Sequence, residues 1–231
     1  MAYRCVLMIL ILSGSAVAPA IAEIQNVPEG YVRVAVAHEI PPEALYSVSM
    51  TETSMAPRAI AAVTKQRRAQ ENLPPVSRPW PWTINVAGKG YRYASRLEAW
   101  QALQVFIKRY PLKRIDVGLA QVNLGWNGHH FISTWDAFDP YINLNAAAII
   151  LRECWDRKPG SWLDAAGCYH HPAGGKAAAR YKRAVKRHLT HLTHLTHLNN
   201  SSRPDSLLLS APLSSAAITP AADFIWTEPR S

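Results

Sequence analysis

Along most of the chain the apolar residues recur every three or four positions, the period of one helical face, and proline or glycine closes the runs. Residues 32–38 are apolar enough for a first helix, which Pro41 and Pro42 close. Pro42 and Glu43 suit the first turn of the next helix, where Leu45, Val48, Ser49 and Glu52 fall at i, i+3, i+4 and i+7 until Pro57 stops it. Residues 58–78 are basic and polar around Pro74 and Pro75, the pattern of a loop or a loosely packed helix. Residues 79–86 and 91–94 are short β-prone runs joined by the tetrapeptide 87–90 with its two glycines, which predicts a hairpin. Ser95, with Glu98 three residues later, forms a capping box for a helix over 96–110, its apolar face drawn from Leu97, Trp100, Leu103, Val105 and Ile107. Apolar helical runs return at 142–155 and 162–169, separated by a turn at 158–160. The pattern predicts a run of helices and one small hairpin.

Composition adds size and charge. A chain of 231 residues with 48% hydrophobic content can bury one substantial core, and its 25 basic against 16 acidic residues leave a formal charge of +9. Charge of this sign suits nucleic acid, membrane surfaces or anionic polymers. No zinc-ligand spacing, Gly-rich phosphate loop or nucleic-acid motif accompanies it, so no metal, cofactor or specific nucleic acid is expected.

The two ends differ from the middle. Arg4, the apolar run 5–12 and Ala20-Ile21-Ala22 make a signal peptide over 1–22, cut before Glu23, with a rival site at Ala16-Val17-Ala18 or an uncleaved anchor as the alternatives. A periplasmic location follows. Cys5 then leaves with the leader, and Cys154 and Cys168 remain on adjoining helices in an oxidising compartment, where a disulfide is expected; two buried thiols are the alternative. Residues 188–198 repeat a His-Leu-Thr unit, read as a helical extension fraying into a tail, with metal binding as the other reading. The domain is drawn over 23–190, and 191–231 as a low-complexity, disordered tail.

Candidate chemistry gathers at a few positions. Glu52 ends a helical face of small and apolar residues. A carboxyl group desolvated there has a raised pKa and can serve as a general acid; turned to solvent, it does nothing of the kind. Trp80, Trp82, Tyr91 and Tyr93 give the hairpin aromatic surface, which suits either a wall for sugar rings or a minor core. In residues 115–123, Gly118 permits a tight turn or a close approach to a ligand, and the Gln121 and Asn123 amides offer donors and acceptors for sugar hydroxyls. That stretch also reads as an ordinary amphipathic turn.

Taken in order, Glu52-Thr53-Ser54 at a helix end, Gly118 to Asn123 (Gly-Leu-Ala-Gln-Val-Asn), residues 168–172 (Cys-Tyr-His-His-Pro) and 181–185 (Tyr-Lys-Arg-Ala-Val) resemble the soluble lytic transglycosylase (SLT) family, with its E-S, G-L-M-Q-I-N, A-Y-N and Y-x-x-x-V motifs. The resemblance spans about 32–185, and residues 79–86 and 115–118 look most like the branch associated with conjugation and type IV secretion. Thr53 stands where the family usually has Ser, Ala120 for Met, and His170 for Asn, and the hairpin lengthens the separation of Glu52 from Gly118. The resemblance implies a lysozyme-like, mostly helical α+β domain with a small β-hairpin, acting on peptidoglycan glycan strands. It implies Glu52 as the catalytic acid and then base, and Thr53, Gln121, Asn123, Tyr169 and Tyr181 as substrate-binding residues. The product would be a 1,6-anhydro ring, formed with one carboxylate rather than two. Asp116 is the rival acid, with a turn-stabilising role as the alternative. Competing readings are a goose-type lysozyme-like hydrolase and a non-catalytic peptidoglycan-binding assembly factor, against which intact Glu52 and Gln121 argue.

Overall fold

Proline opens the first helices, because a helix's first residues donate no intrahelical hydrogen bond and lose nothing by lacking an N–H. Pro28 precedes α1 (Glu29–Ala37), Pro41 precedes α2 (Pro42–Thr53), and Pro57 precedes α3 (Arg58–Gln70). The computed structural model describes residues 27–54, 56–72 and 78–201, with side chains through residue 192. The leader expected over 1–22 and the part beyond 201 of the tail expected over 191–231 lie outside the described residues. α3 buries none of its residues, which agrees with the loose pattern of its sequence.

The sheet is larger than one hairpin. β1 (Thr83–Val86) and β2 (Lys89–Arg92) pair antiparallel, with Val86 opposite Lys89. The turn is therefore the dipeptide Ala87-Gly88 rather than a tetrapeptide, and both residues take the positive φ, 53° and 88°, that a tight hairpin of this twist demands. β3 (Ile115–Val117) then pairs with the other edge of β1, and β4 (Val122–Asn123) pairs with β3, giving the order β2-β1-β3-β4. Strands of two and three residues are too short for an alternating pattern to declare itself, so the sequence reading had a hairpin where there is a four-stranded sheet.

Between β2 and β3 runs α4 (Arg96–Phe106). Ser95 caps its start, Oγ accepting from Glu98 N at 3.2 Å, while Glu98 Oε2 accepts from Ala94 N at 3.0 Å, one residue before the N–H that a capping box engages. The helix stops short of the expected Tyr110, in a turn where Arg109 N and Tyr110 N both donate to Phe106 O. Its inward face also differs from the expected one. Ala99 and Leu103 are buried, whereas Leu97 and Val105 are about half exposed.

After β4 comes the single turn α5 (Leu124–Asn127), and then α6 (Pro140–Arg157), α7 (Trp162–His170) and α8 (Gly175–Ser201). Asp139 caps α6 by accepting from Tyr141 N and Ile142 N, with Pro140 in the first turn. Cys154 of α6 and Cys168 of α7 are bonded, their Cα atoms 5.8 Å apart. Gly174 and Gly175, each with φ 77°, turn the chain sharply from α7 into α8. α8 passes the boundary drawn at 190 and continues to Ser201 through the His-Leu-Thr repeat, and Leu192 is buried against the core. The helical extension read over the repeat is thus part of α8.

At the centre lies α2, touched by α1, α6, α7 and α8. It is not an amphipathic surface helix: Ala44 through Met50 are buried without a break, and so is Thr53. A helix enclosed on all sides needs small or apolar side chains all round, and Ala44, Ser47, Val48 and Ser49 supply them. No helix among the described residues is long and apolar enough to cross a membrane.

Candidate active site

Enclosure of α2 decides the state of Glu52, which lies in its last turn. Only 16% of the Glu52 side chain is exposed. Burial pushes its pKa from the ordinary 4.5 up to about 8; the nearby Tyr181 hydroxyl opposes that rise, and Asp116 adds to it. The Tyr181 hydroxyl is close enough to couple to the carboxyl but stops short of hydrogen-bond geometry, since Tyr181 Oη is buried with no hydrogen-bond partner among the described residues. Glu52 is therefore a protonated acid at neutral pH with one face open.

Two residues from other helices cover the rest. His170, at the end of α7, sets Nδ1 4.0 Å from Glu52 Oε1. Its ring lies flat on that of Tyr181 from α8, with centroids 4.3 Å apart and an interplanar angle of 4°. Burial and the neighbouring His171 hold the His170 pKa below its ordinary value, so imidazole and acid face each other as neutral groups near pH 7. A neutral imidazole has one donor and one acceptor, as an amide does in the family's usual Asn. Tyr169 points elsewhere: its hydroxyl donates to Ala120 O at 2.7 Å. Burial first and the nearby Glu52 second raise its pKa well above the ordinary range, so it remains a phenol.

Opposite α2 stands the loop between β3 and β4. Gly118 has φ 83°, and a Cβ there would overlap the Asn143 amide. The close approach that Gly118 permits is thus to the protein's own core. Asn143 of α6 is fully buried and braces the loop: Oδ1 accepts from Ala120 N, and Nδ2 donates to Val117 O and Ala137 O, each at 3.0 Å. Sequence reasoning missed Asn143. Its signal was an amide, one of two with Asn145, in the apolar run of α6, where a buried polar group must be satisfied.

The residues expected to bind substrate divide into those that line the site and those that build it. Gln121 lines it. With φ 50°, it donates through Nε2 to Gly118 O at 2.8 Å and Thr83 O at 3.2 Å, while Oε1 has no partner among the described residues. It is an acceptor held in place by its own loop. Thr53 is fully buried, and its hydroxyl donates to Leu119 O, so it cannot touch a glycan. Asn123 is also structural. It caps α5 by accepting from Gly125 N and Trp126 N, and it donates to Lys113 O and to Asp116 Oδ1 at 2.8 Å. Both were expected to bind substrate because a motif shows which polar side chains recur but not which way they point.

Asp116 is partly buried beside this loop, and burial raises its pKa while the Asn123 bond opposes the rise. In the aromatic hairpin Trp82 is core, and Trp80, Tyr91 and Tyr93 are partly buried against it. Trp82 is 4% exposed, Trp80 donates Nε1 to Tyr93 O at 2.8 Å, and Tyr91 packs on Phe106 with centroids 4.9 Å apart. Among the described residues no group of three or more His, Cys, Asp or Glu side chains could hold a metal ion.

An acid held protonated by burial beside a braced loop, with His170 and Tyr181 against it, is suited to protonating a sugar's bridging oxygen. Comparison with curated proteins and with solved structures finds no match. The transglycosylase SLT domain, a lysozyme-like family whose members act on peptidoglycan, matches residues 33–192, and with most of its length inside that match the chain belongs to this family.

Proposed function

We propose that this protein is a peptidoglycan lytic transglycosylase that cleaves the β-1,4 bond between N-acetylmuramic acid and N-acetylglucosamine and leaves a 1,6-anhydro product. The observation that carries the reading is the burial of Glu52 at the end of α2, which holds its carboxyl protonated up to a pH of about 8. In this scheme Glu52 gives its proton to the glycosidic oxygen as the bond to the muramic C1 breaks. The carboxylate then takes the proton of the C6 hydroxyl as that oxygen closes on C1. A raised pKa serves both steps, since the group is protonated at the start and a strong base once it has given the proton away. Gln121 Oε1 accepts from a sugar hydroxyl or an acetamido N–H.

A hydrolase is the second reading, because Asp116 couples to Glu52 and could hold an attacking water. The Asn123 amide already donates to Asp116 Oδ1, which favours a structural role for that carboxylate. The leader pattern at 1–22 supports export to the periplasm, and the similarity of residues 79–86 and 115–118 to the conjugation and secretion branch supports local opening of the wall for such an apparatus.

The test is digestion of purified sacculi by wild type and Glu52→Gln, with mass spectrometry of the released muropeptides. Wild type should release 1,6-anhydro products, and the variant should lose at least about 10³-fold in rate. Products heavier by one water would mean hydrolysis, and equal release by the two proteins would remove Glu52 from the mechanism.

A further inference from the structure

α8 presents more to the site than Tyr181. Lys176, Ala177, Arg180, Tyr181 and Ala184 follow at i, i+1, i+4, i+5 and i+8, so they share one face of the helix. With His170 from α7 they line an open groove of about 480 Å³. Ala177 and Ala184 leave its middle empty, Tyr181 and His170 form the end next to Glu52, and Lys176 and Arg180 are exposed along it. None of the lining residues is acidic. Neither Lys176 nor Arg180 forms an ion pair or hydrogen bond among the described residues, whereas Lys182, also on α8, is tied to Asp164 at 2.8 Å. Two unpaired cations line a groove whose His170 lies beside Glu52.

The chemistry that fits is a carboxylate covalently linked to the sugar bound at Glu52. We propose that this groove receives the peptide stem of the muramic acid residue, with Lys176 and Arg180 binding the stem's free carboxylates. This rests on the peptidoglycan reading above and deepens it, since it makes peptide-bearing strands the preferred substrate over bare glycan. Arg180 can engage a carboxylate with two parallel N–H donors, and Lys176 contributes a mobile point charge. Glu52 does not compete for them, because it is held neutral at neutral pH.

The experiment is equilibrium binding, by calorimetry on the full chain, of a GlcNAc-MurNAc disaccharide carrying a tripeptide stem with free carboxylates. The same disaccharide-tripeptide with its carboxylates amidated is the control. Neither contains the bond to be cleaved, so affinity is read without turnover. Wild type should prefer the charged stem about tenfold, the sum of two partly exposed charge-assisted contacts, and added salt should shrink that preference. In Lys176→Ala/Arg180→Ala the preference should vanish while the affinity for the amidated ligand stays as in wild type. Both side chains are exposed and unpaired, so the fold should survive, which circular dichroism checks. Equal affinity of wild type for the two ligands, no binding of either, or a preference that outlives both substitutions would overturn the assignment. Sacculus digestion decides the reaction separately: anhydro release without a charge preference removes the groove alone, and a preference without release removes the reaction alone.

Discussion

The Thr53 hydroxyl donates to the Leu119 carbonyl at 2.5 Å, joining the residue after Glu52 to the loop that carries Gln121. The acid and the amide come from distant parts of the chain, and this bond fixes the distance between their supports. A hydroxyl, rather than any particular side chain, is what the position requires, so Ser or Thr meets the need equally. Thr53→Val keeps the shape and leaves the buried carbonyl unpaired, which should lower stability by about 1–3 kcal/mol. Thr53→Ser should cost less than half as much. Urea denaturation of the two variants checks this, and a valine variant as stable as wild type would show that the bond carries no weight.

The loop has a second constraint at Gly118, where φ is 83° and the space a Cβ needs is filled by the Asn143 amide. Gly118→Ala must either strain the backbone or displace a side chain that makes three buried hydrogen bonds. We expect a loss of roughly 3 kcal/mol or more in thermal or chemical unfolding, well beyond the ordinary cost of a Gly-to-Ala change in a loop.

How far the sequence revealed this site depends on what each residue touches. Glu52 was visible because its helix leaves it on a face of small and apolar side chains, and burial follows from that placement. Gly118 was visible as a conformational exception. Thr53 and Asn123 are expected at the substrate because they sit in motifs, yet Thr53 is buried against the loop and the Asn123 amide is engaged in capping α5 and holding Asp116. Asn143 was hidden for the opposite reason, as a polar residue outside any motif whose partners are 6 to 26 positions away. The helices were read from their period, whereas β3 and β4 were too short to carry one. The aromatic hairpin suited two environments equally in sequence; long-range packing puts Trp82 in the core and leaves Trp80, Tyr91 and Tyr93 partly exposed against it.

His170 should act on Glu52 by covering it. The ring stacked on Tyr181 shields the carboxyl from water, and burial is the largest cause of the raised Glu52 pKa. In His170→Ala that shield is gone, so the basic limb of the kcat/KM–pH profile should move to lower pH. His170→Asn puts back a neutral donor and acceptor and should move the limb less. A limb that stays in place in both variants would leave His170 without this positioning role.

The last prediction ties activity to stability through one proton. Glu52 has a folded pKa of about 8 against an ordinary 4.5, so the native state holds this proton more tightly than the unfolded chain does. Its contribution to stability is therefore full below about pH 4.5 and is lost as the pH rises to about 8, where the carboxylate is forced to ionise in its buried place. The whole change amounts to something on the order of 5 kcal/mol. Glu52→Gln has no such proton to lose. The stability of wild type relative to this variant should accordingly fall across that window and level off above it. Turnover should fall through the upper end of the same window, since the acid form that protonates the glycosidic oxygen disappears there. Denaturation of both proteins at a series of pH values, set beside the wild-type pH–rate profile, measures the two curves independently. If the stability difference levels off near pH 5 while activity persists to pH 8, Glu52 ionises like an exposed carboxyl and some other group supplies the catalytic proton.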